Sequence, residues 1–339
     1  MRRGESSRRP SRKADPPGPN TGRTAAPAAV QNDTVGDRTM PTAAEIFQRL
    51  AQPLEPIPTS ETPSLKTIGG IRVVLFDLYG TLLISGSGEV GTESAPSDVA
   101  VAEAFQETGL ETTASPEEIL ACLDETIRTT HARLREMGRD WPEVDIREVW
   151  GNVIATLVER GQMELPPPET FDVAQLAAEY EARANPVALM PGARECLAAL
   201  REQGCLLGIV SNAQFYTHGL LEALFGGLPE SVGFEPALQY YSYQYGWGKP
   251  SQRLFEMAAN ELAERAIEPS RVLYVGNDMR NDVLGARNAG FHTALFAGDA
   301  RSLRRREDDS QMIGVVPDLI LTELNQLPGC IIEKTAGEL

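Results

Sequence analysis

Short, uninterrupted runs of apolar and β-branched residues set the framework of this chain. The clearest run, IRVVLFDL over Ile71–Leu78, lacks polar–apolar alternation, which is typical of a strand buried on both faces of a parallel sheet. Three further runs have the same texture: Leu206–Val210, Arg271–Val275 and Thr293–Phe296. Segments with helical spacing lie beside them at 191–203, 251–264 and 281–289. Strands that alternate with helices predict an α/β fold with a parallel sheet and right-handed crossovers.

A block of about 100 residues with helical periodicity interrupts this alternation after the first strand. Apolar residues recur there at spacings of three and four over the segments 97–108, 116–137, 145–161 and 171–183. Ser115-Pro116-Glu117-Glu118 is a typical helix start, and Pro166-Pro167-Pro168 breaks the helices. The sequence therefore predicts an α/β domain that opens with one strand, receives a helical insertion and then resumes.

The first forty residues differ from the rest of the chain. Eight basic residues face four acidic ones there, although the whole chain carries a net charge of −17. Pro, Ser, Thr, Ala and Gly dominate, so this segment cannot bury enough apolar surface to order itself. No apolar stretch of the kind found in secretory signals follows the arginines. We expect residues 1–66 to be a disordered tail and linker with a short helix at 43–51; a targeting peptide, or a true start at Met40, stays open.

Charge and cysteine usage restrict the class of function. A chain this acidic is a poor match for nucleic acid or an anionic membrane, because phosphate groups select basic surfaces. No run of about 18 apolar residues is present that would span a membrane. The four cysteines form no C-x-x-C or Cys/His cluster, so neither a zinc site nor a disulfide framework is predicted. We expect a cytoplasmic protein that binds neither nucleic acid nor membrane, and the sequence leaves its oligomeric state open.

Polar residues follow the predicted strands at the sheet edge where parallel sheets bind ligands. They are Asp77 after the first run, Ser211 and Asn212 after the second, Lys249 before the helix at 251, and Asp278 and Asp282 after the third. A carboxylate at the end of a buried strand needs a partner. Acids placed close together repel unless a cation is present, so a metal accounts for Asp278 and Asp282 better than helix capping alone. Three carboxylates, one lysine and one hydroxyl are predicted to share one crevice.

With these motifs in this order, the chain resembles the haloacid dehalogenase-like hydrolase superfamily over about residues 70–325. The resemblance implies a Rossmann-like core at 67–85 and 187–330, with a parallel sheet and helices on both faces. It implies an inserted helical cap domain at 86–186, of the type placed after the first motif. Each motif alone is weak, and the four together are specific.

The resemblance also implies a role for each residue. Asp77 would be a covalent nucleophile, supported by the turn at Gly80 and Thr81. Ser211 and the backbone N–H groups around Asn212 would hold phosphoryl oxygens, and Lys249 would neutralise the charge around Asp77. A Mg²⁺ ion would be held by Asp77, the backbone carbonyl of Tyr79, Asp278 and Asp282.

Tyr79 departs from the phosphatase pattern. Phosphatase members carry a second Asp two residues after the nucleophile, which protonates the leaving group. A phenol with a pKa near 10 is a poor base at neutral pH, and general acid–base help is worth about 10²–10⁴ in rate. Tyrosine at this place resembles the 2-haloacid dehalogenases, which use no metal and release a halide that needs no proton.

Other features favour a phosphatase. A substrate carboxylate would meet Asp77 and the two acids of the last motif with only Lys249 to offset them. Residues 84–127 contain no arginine or lysine, whereas the dehalogenases place an arginine early in the cap. We therefore expect Mg²⁺-dependent hydrolysis of a small phosphorylated metabolite through an aspartyl-phosphate. A metal-independent dehalogenase-type hydrolase and a non-catalytic phosphate- or partner-binding protein are the alternatives.

A charged run lies near the C-terminus. Three arginines at 304–306 are followed by three acids at 307–309. Opposite charges side by side predict a solvated loop whose charges neutralise one another.

Overall fold

The computed structural model describes residues 40–88, 97–165, 167 and 170–332. The strands are β1 (Ile68–Gly69), β2 (Val73–Phe76), β3 (Leu83–Ser85), β4 (Val187–Leu189), β5 (Leu206–Ser211), β6 (Phe234–Tyr241), β7 (Val272–Gly276), β8 (His292–Phe296), β9 (Leu319–Leu321) and β10 (Ile331–Ile332). The α-helices are α1 (Ala43–Arg49), α2 (Asp98–Glu107), α3 (Pro116–Glu136), α4 (Ile146–Glu159), α5 (Val173–Ala184), α6 (Ala193–Glu202), α7 (Thr217–Phe225), α8 (Pro229–Val232), α9 (Ser242–Tyr245), α10 (Arg253–Glu264) and α11 (Gly285–Asn288). A π-helical turn, Met279–Leu284, leads into α11.

Six parallel strands form the central sheet, in the order β6-β5-β2-β7-β8-β9. The four apolar runs of the sequence are confirmed as the strands β2, β5, β7 and β8. Chain order runs outwards from β2 on both sides, so the strand order reverses there. A crevice for ligands is expected at the carboxyl end of the strand where the order reverses.

Helices cover both faces of this sheet. Along β2, the side chains of Val73 and Leu75 pack in one apolar cluster with Phe255 of α10. The alternating side chains of Val74 and Phe76 pack in a second cluster, which includes residues of α6 and α7. Period-two alternation therefore sends neighbouring residues of one buried strand into two different cores, as a Rossmann-like α/β fold requires.

Helices α2–α5 lie between β3 and β4 and are called the helical insertion below. The four predicted helical segments are confirmed to within two residues at each end, although residues 166 and 168 of the expected proline break lie outside the described residues. Trp150 is fully buried in the insertion, with its ring centroid 5.3 Å from that of Tyr180 and 6.2 Å from that of Phe105. β3 and β4 pair antiparallel, with Leu83 opposite Leu189, so the insertion leaves and re-enters the core at neighbouring points.

Residues 40–66, called the N-terminal strap below, lie along the core, in contrast to the linker expected from their composition. The predicted short helix is α1, which begins with a capping box between Thr42 and Glu45. It packs against α7 at Gly219, where a Cβ atom would lie 2.7 Å from the Cβ of Ala43. The absence of a side chain at this glycine lets the two helices approach. Residues 1–39 of the expected tail lie outside the described residues.

The strap continues as an extended chain along the sheet edge. The backbone N–H of Ile57 donates to Oδ1 of Asp299 at 3.0 Å, and the Thr59 hydroxyl donates to the carbonyl of Ala297 at 2.7 Å. At its other end, α1 reaches the helical insertion, where Arg49 forms an ion pair with the buried Glu179 of α5. No helix in the described ranges is long and apolar enough to cross a membrane.

Candidate active site

Asp77 follows β2 directly, at the carboxyl end of the sheet. Its backbone N–H donates to the carbonyl of Val275 at 2.9 Å, and the residue is 7% exposed. The chain then turns at Gly80, which has a φ of +81° and no room for a Cβ atom beside Asn277. The Thr81 hydroxyl donates to Oδ1 of Asn277 at 3.3 Å. The turn that presents the Asp77 carboxylate is thus fixed by backbone conformation and by the loop after β7.

Lys249 lies between two carboxylates. Its Nζ atom is 2.8 Å from Oδ1 of Asp77 and 2.6 Å from Oδ1 of Asp282. Burial acts to lower the pKa of Lys249, but the two carboxylates, Asp282 before Asp77, outweigh it and raise the pKa above its usual value. The lysine therefore stays charged, and it links Asp77, which follows β2, to Asp282, which lies after β7.

Asn212 holds the lysine loop in place. Its Oδ1 accepts from the backbone N–H of Lys249 at 2.6 Å, and its Nδ2 donates to the Lys249 carbonyl at 3.1 Å. The fully buried Ser211 donates its hydroxyl to the backbone carbonyl of Asn212 at 3.2 Å. The side chain of Asn212 thus positions Lys249, and a role of Ser211 and of the neighbouring N–H groups in holding a phosphoryl group stays a prediction.

Asp282 is a fully enclosed carboxylate. Its Oδ1 accepts from Lys249 Nζ and lies 3.0 Å from the hydroxyl of Tyr274, and its Oδ2 accepts from the backbone N–H of Asp278 at 2.9 Å. Burial raises the pKa of Asp282 to about 6; Lys249 lowers it, and the charges of Asp77 and Asp278 raise it further.

Asp278 caps the π-helical turn and pairs with the guanidinium of Arg306. Its Oδ1 accepts from the backbone N–H groups of Arg280 and Asn281 at 2.8 and 3.1 Å. Its Oδ2 accepts from Nη2 and Nε of Arg306 at 2.6 and 3.1 Å. The expectation of a solvated loop at 304–306 is wrong for Arg306, because this arginine reaches back to the motif after β7.

The carboxylates do not form the predicted magnesium site in this arrangement. Among the residues that the structure describes, no group of three or more His, Cys, Asp or Glu side chains could hold a metal ion. Both oxygens of Asp278 are engaged by Arg306 and backbone amides, and both oxygens of Asp282 by Lys249 and neighbouring donors. The set of Asp77, Tyr79, Asp278 and Asp282 therefore does not fit a bound Mg²⁺ as these side chains stand.

The hydroxyl of Tyr79 contacts a neighbouring helix of the core. The buried phenol oxygen lies 2.9 Å from the hydroxyl of Thr217 on α7. Burial, and after it the charge of Glu181, raises the pKa of Tyr79 far above its usual value of 10. This phenol stays protonated at neutral pH and cannot act there as a general base.

The loop between α3 and α4 of the helical insertion rests on the loop that carries Lys249. The backbone carbonyl of Trp141 accepts from the N–H of Gly248 at 2.9 Å, and Oδ1 of Asp140 accepts from the hydroxyl of Ser251 at 3.0 Å. The lysine is therefore held from two sides, by Asn212 of the core and by the insertion.

Glu143 of the same loop is a half-buried acid next to the segment that follows Asn212. Its Oε2 accepts from the Ser242 hydroxyl at 2.8 Å, and its Oε1 accepts from the backbone N–H of Val144 at 2.9 Å and from Nε2 of Gln214 at 3.3 Å. Burial raises the pKa of Glu143 to about 7, although its hydrogen bonds act to lower it. This acid links the insertion to the segment just after Asn212.

Sequence reasoning missed three residues that the structure places at the site. Tyr274 of β7 donates to the carbonyl of Val210 at 2.8 Å and lies beside Asp282. A signal for it was available, since a phenol inside an apolar buried strand needs a hydrogen-bond partner. Asn277 donates to the carbonyl of Ser302 at 2.6 Å. Nothing in the local sequence signals Arg306.

Comparisons with known proteins identify the family of this chain. Residues 71–290, more than half of the chain, match the sequence model of haloacid dehalogenase-like hydrolases. Over 110 residues the chain is 34% identical to haloacid dehalogenase-like hydrolase domain-containing protein 3 of Bos taurus, which covers 32% of this chain and only 40% of the bovine protein. Over 268 residues it is 26% identical to glyceraldehyde 3-phosphate phosphatase of Methanopyrus kandleri, which covers 76% of this chain and 95% of that protein.

A solved structure shares the architecture. The 2-haloacid dehalogenase from Pseudomonas syringae pv. Tomato DC3000 is similar with a TM-score of 0.50 and 20% identity, over 77% of this chain and 97% of that chain. At this identity the similarity shows the fold alone.

Proposed function

The chain belongs to the haloacid dehalogenase-like hydrolase family, and from this premise we propose that it hydrolyses a small phosphorylated metabolite through an aspartyl-phosphate on Asp77. The observation that carries the proposal is the contact of 2.8 Å between Asp77 Oδ1 and Lys249 Nζ at the carboxyl end of β2. A buried lysine at this distance positions the nucleophile and offsets negative charge on an incoming phosphoryl group. The name of the Methanopyrus kandleri relative also supports a phosphorylated substrate.

The chemistry takes two displacements at phosphorus. Lys249 holds Oδ1 of Asp77, so Oδ2 is the oxygen that attacks. An O–P bond forms as the bond from phosphorus to the leaving oxygen breaks, and an activated leaving group departs as its anion. Water then attacks the aspartyl-phosphate, which releases inorganic phosphate and restores the carboxylate. Splitting the reaction into two steps is the gain that a covalent nucleophile provides.

The buried phenol of Tyr79 narrows the substrate class. No acid stands at this position to protonate an alkoxide, and Tyr79 is engaged with Thr217. Substrates whose leaving group is stable without a proton should therefore react fastest. Acyl phosphates and aryl phosphates have such leaving groups, whereas simple sugar phosphates do not. We propose an acyl or other activated phosphate as the preferred substrate.

Magnesium is the family-level expectation that the geometry supports least. The carboxylates expected to hold Mg²⁺ are engaged by Lys249 and Arg306. The test is hydrolysis of acetyl phosphate and p-nitrophenyl phosphate, measured with Mg²⁺ and with excess EDTA. Turnover in either condition that Asp77→Asn abolishes supports the proposal. If turnover persists in Asp77→Asn, Asp77 is not the nucleophile.

Dehalogenase-type hydrolysis is the second candidate, favoured by one observation. Arg306 brings a second cation to the acids, which lessens the charge conflict expected for a substrate carboxylate. In that reaction an Asp77 oxygen attacks C2 of a 2-haloacid, halide leaves, and water hydrolyses the ester. Halide release from 2-chloropropionate without metal is the distinguishing measurement. A protein that binds phosphate, as shown by a thermal shift, yet turns over neither substrate is the non-catalytic alternative.

The remaining expectations about partners stay proposals. We propose a small-molecule substrate, no nucleic-acid partner and a cytoplasmic location. The sequence has neither a C-x-x-C nor a Cys/His cluster and predicts no disulfide framework, which supports a reducing compartment.

A further inference from the structure

We infer that Arg306 is a built-in cation that occupies Asp278 in place of a divalent metal ion. Nη2 and Nε of Arg306 lie 2.6 and 3.1 Å from Oδ2 of Asp278, so the pair is made through two N–H donors. The remaining oxygen of Asp278 caps the π-helical turn. The inference deepens the proposed function, and it rests on that function only for what the site does to substrate.

Backbone pairing fastens the arginine loop to the motif after β7. The backbone N–H of Arg304 donates to the carbonyl of Asn277 at 3.0 Å, and the N–H of Met279 donates to the carbonyl of Arg304 at 2.9 Å. The side chain of Asn277 adds a bond to the carbonyl of Ser302 at 2.6 Å. Arg306 follows two residues after this pairing, so its position is set by the fold and not by a chance surface contact.

The backbone of Arg306 is held in a conformation that side chains rarely adopt. Its φ is +54°, one of two positive φ angles at non-glycine residues in the described part of the chain. Such a conformation persists only where the surroundings impose it, and it is concentrated at functional sites. Here it carries the guanidinium to a carboxylate that is 8% exposed. The strain and the ion pair together indicate a residue that serves the site.

A second cation at Asp278 would compete with Arg306 for the same carboxylate. Asp77 and Asp282 share Lys249, and Asp278 pairs with Arg306. A divalent ion at Asp278 would have to displace a guanidinium with two N–H donors on the carboxylate. The arginine supplies one positive charge and, unlike Mg²⁺, cannot be lost to a chelator.

Titration with Mn²⁺, followed by its electron paramagnetic resonance signal, tests this inference on the full-length protein without any substrate. We expect the wild type to leave Mn²⁺ free at millimolar concentration. Arg306→Gly suits the positive φ and removes the cation, and it should bind one Mn²⁺ about tenfold more tightly or better, since an opposite charge nearby shifts ionic equilibria by one to three orders of magnitude. Adding Asp278→Asn to that variant should remove the gain.

Two further variants are controls. Arg305→Ala changes the neighbouring arginine, which pairs with Glu61 and Glu307, and should leave Mn²⁺ binding as in the wild type. Arg306→Lys keeps the positive charge but loses the planar guanidinium with its two N–H donors. It should bind Mn²⁺ with an affinity between those of the wild type and the glycine variant. It also supplies the comparison if Arg306→Gly does not fold, as judged by circular dichroism.

Three results would overturn the inference. One is submillimolar Mn²⁺ binding by the wild type that Asp278→Asn weakens. Another is an Arg306→Gly variant that binds Mn²⁺ no more tightly than the wild type. The third is an equal gain in Arg305→Ala. These measurements need no turnover. If the protein hydrolyses no phosphate ester or acyl phosphate, the proposed function is wrong, and the Mn²⁺ titration still tests the inference about Arg306.

Discussion

The Nζ atom of Lys249 lies 2.6 Å from Oδ1 of Asp282, and both side chains are almost fully buried. A buried pair of this kind costs more to break than to replace, because removal of one partner leaves the other charge without compensation. The loop that carries Lys249 and the turn that carries Asp282 are therefore energetically as well as spatially coupled.

Lys249→Met should lower both the catalytic activity and the stability of the fold. We expect kcat/KM for acetyl phosphate to fall by about 10²–10³ and the free energy of unfolding to fall by about 3–5 kcal/mol, because two carboxylates lose their cation. Urea denaturation and steady-state kinetics measure the two effects. Lys66→Met is the matched control, since Lys66 is 56% exposed and pairs with Asp318 at the surface. Equal losses in both variants would contradict the role of Lys249.

Tyr79→Phe should leave catalysis nearly intact. The phenol is buried against Thr217, so its loss removes one hydrogen bond, worth about 1 kcal/mol of unfolding free energy. We expect kcat/KM to change by less than about tenfold, whereas loss of a general acid would cost about 10²–10⁴. Thr217→Val breaks the same bond from the other side and should behave alike. A loss of activity in the phenylalanine variant alone would make Tyr79 a catalytic group.

Glu143 should give stability a pH dependence that Glu143→Gln removes. Burial raises the folded-state pKa of Glu143 to about 7, from an ordinary value of 4.5. The folded protein therefore holds this proton more tightly than the unfolded chain, and the resulting stabilisation is present below pH 4.5 and is lost as the pH rises to about 7. Because the residue is partly exposed, we expect a loss on the order of 1 kcal/mol.

The measurement is the difference in unfolding free energy between Glu143→Gln and the wild type across this range. The variant should gain relative stability as the pH rises. Glu148→Gln, at an exposed position on α4, serves as the control and should show a flat difference. A flat difference for Glu143→Gln as well would mean that Glu143 titrates normally.

Arg49→Ala tests the contact between the N-terminal strap and the helical insertion. Glu179 has no exposed side-chain surface and pairs with Arg49 and Arg183. Losing one charged partner should lower the unfolding free energy by about 1.5–3 kcal/mol. Arg128→Ala, which breaks an exposed pair on α3, should stay within about 0.5 kcal/mol of the wild type in the same urea titration. A matching small effect at Arg49 would mean that the strap contact contributes little.

Periodicity made most of the fold predictable. The buried strands and the four insertion helices each carry a pattern long enough to identify, and the expected site residues follow strands whose ends must meet at one edge. Side-chain patterns along β2 even anticipate two cores, because a buried parallel strand shows no polar face.

The remaining features depend on contacts that no local pattern encodes. Arg306 reaches Asp278 through a left-handed backbone and a loop paired with Asn277, and its neighbouring acids suggested self-neutralisation instead. Asn212 holds the lysine loop across 37 positions of chain. The strap is rich in Pro, Ser and Thr, so its order comes from the surface beneath it and not from its own composition.

The antiparallel pairing of β3 with β4 places both chain junctions of the helical insertion side by side. Ser85 lies opposite Val187, so a tight turn could join them and leave every strand of the main sheet in place. Such a shortened chain would keep Asp77, Lys249 and Asp282 but would lose the loop between α3 and α4 that helps to hold the Lys249 loop. The insertion would then act on the reaction only through the position of Lys249, and not through any strand that carries the carboxylates.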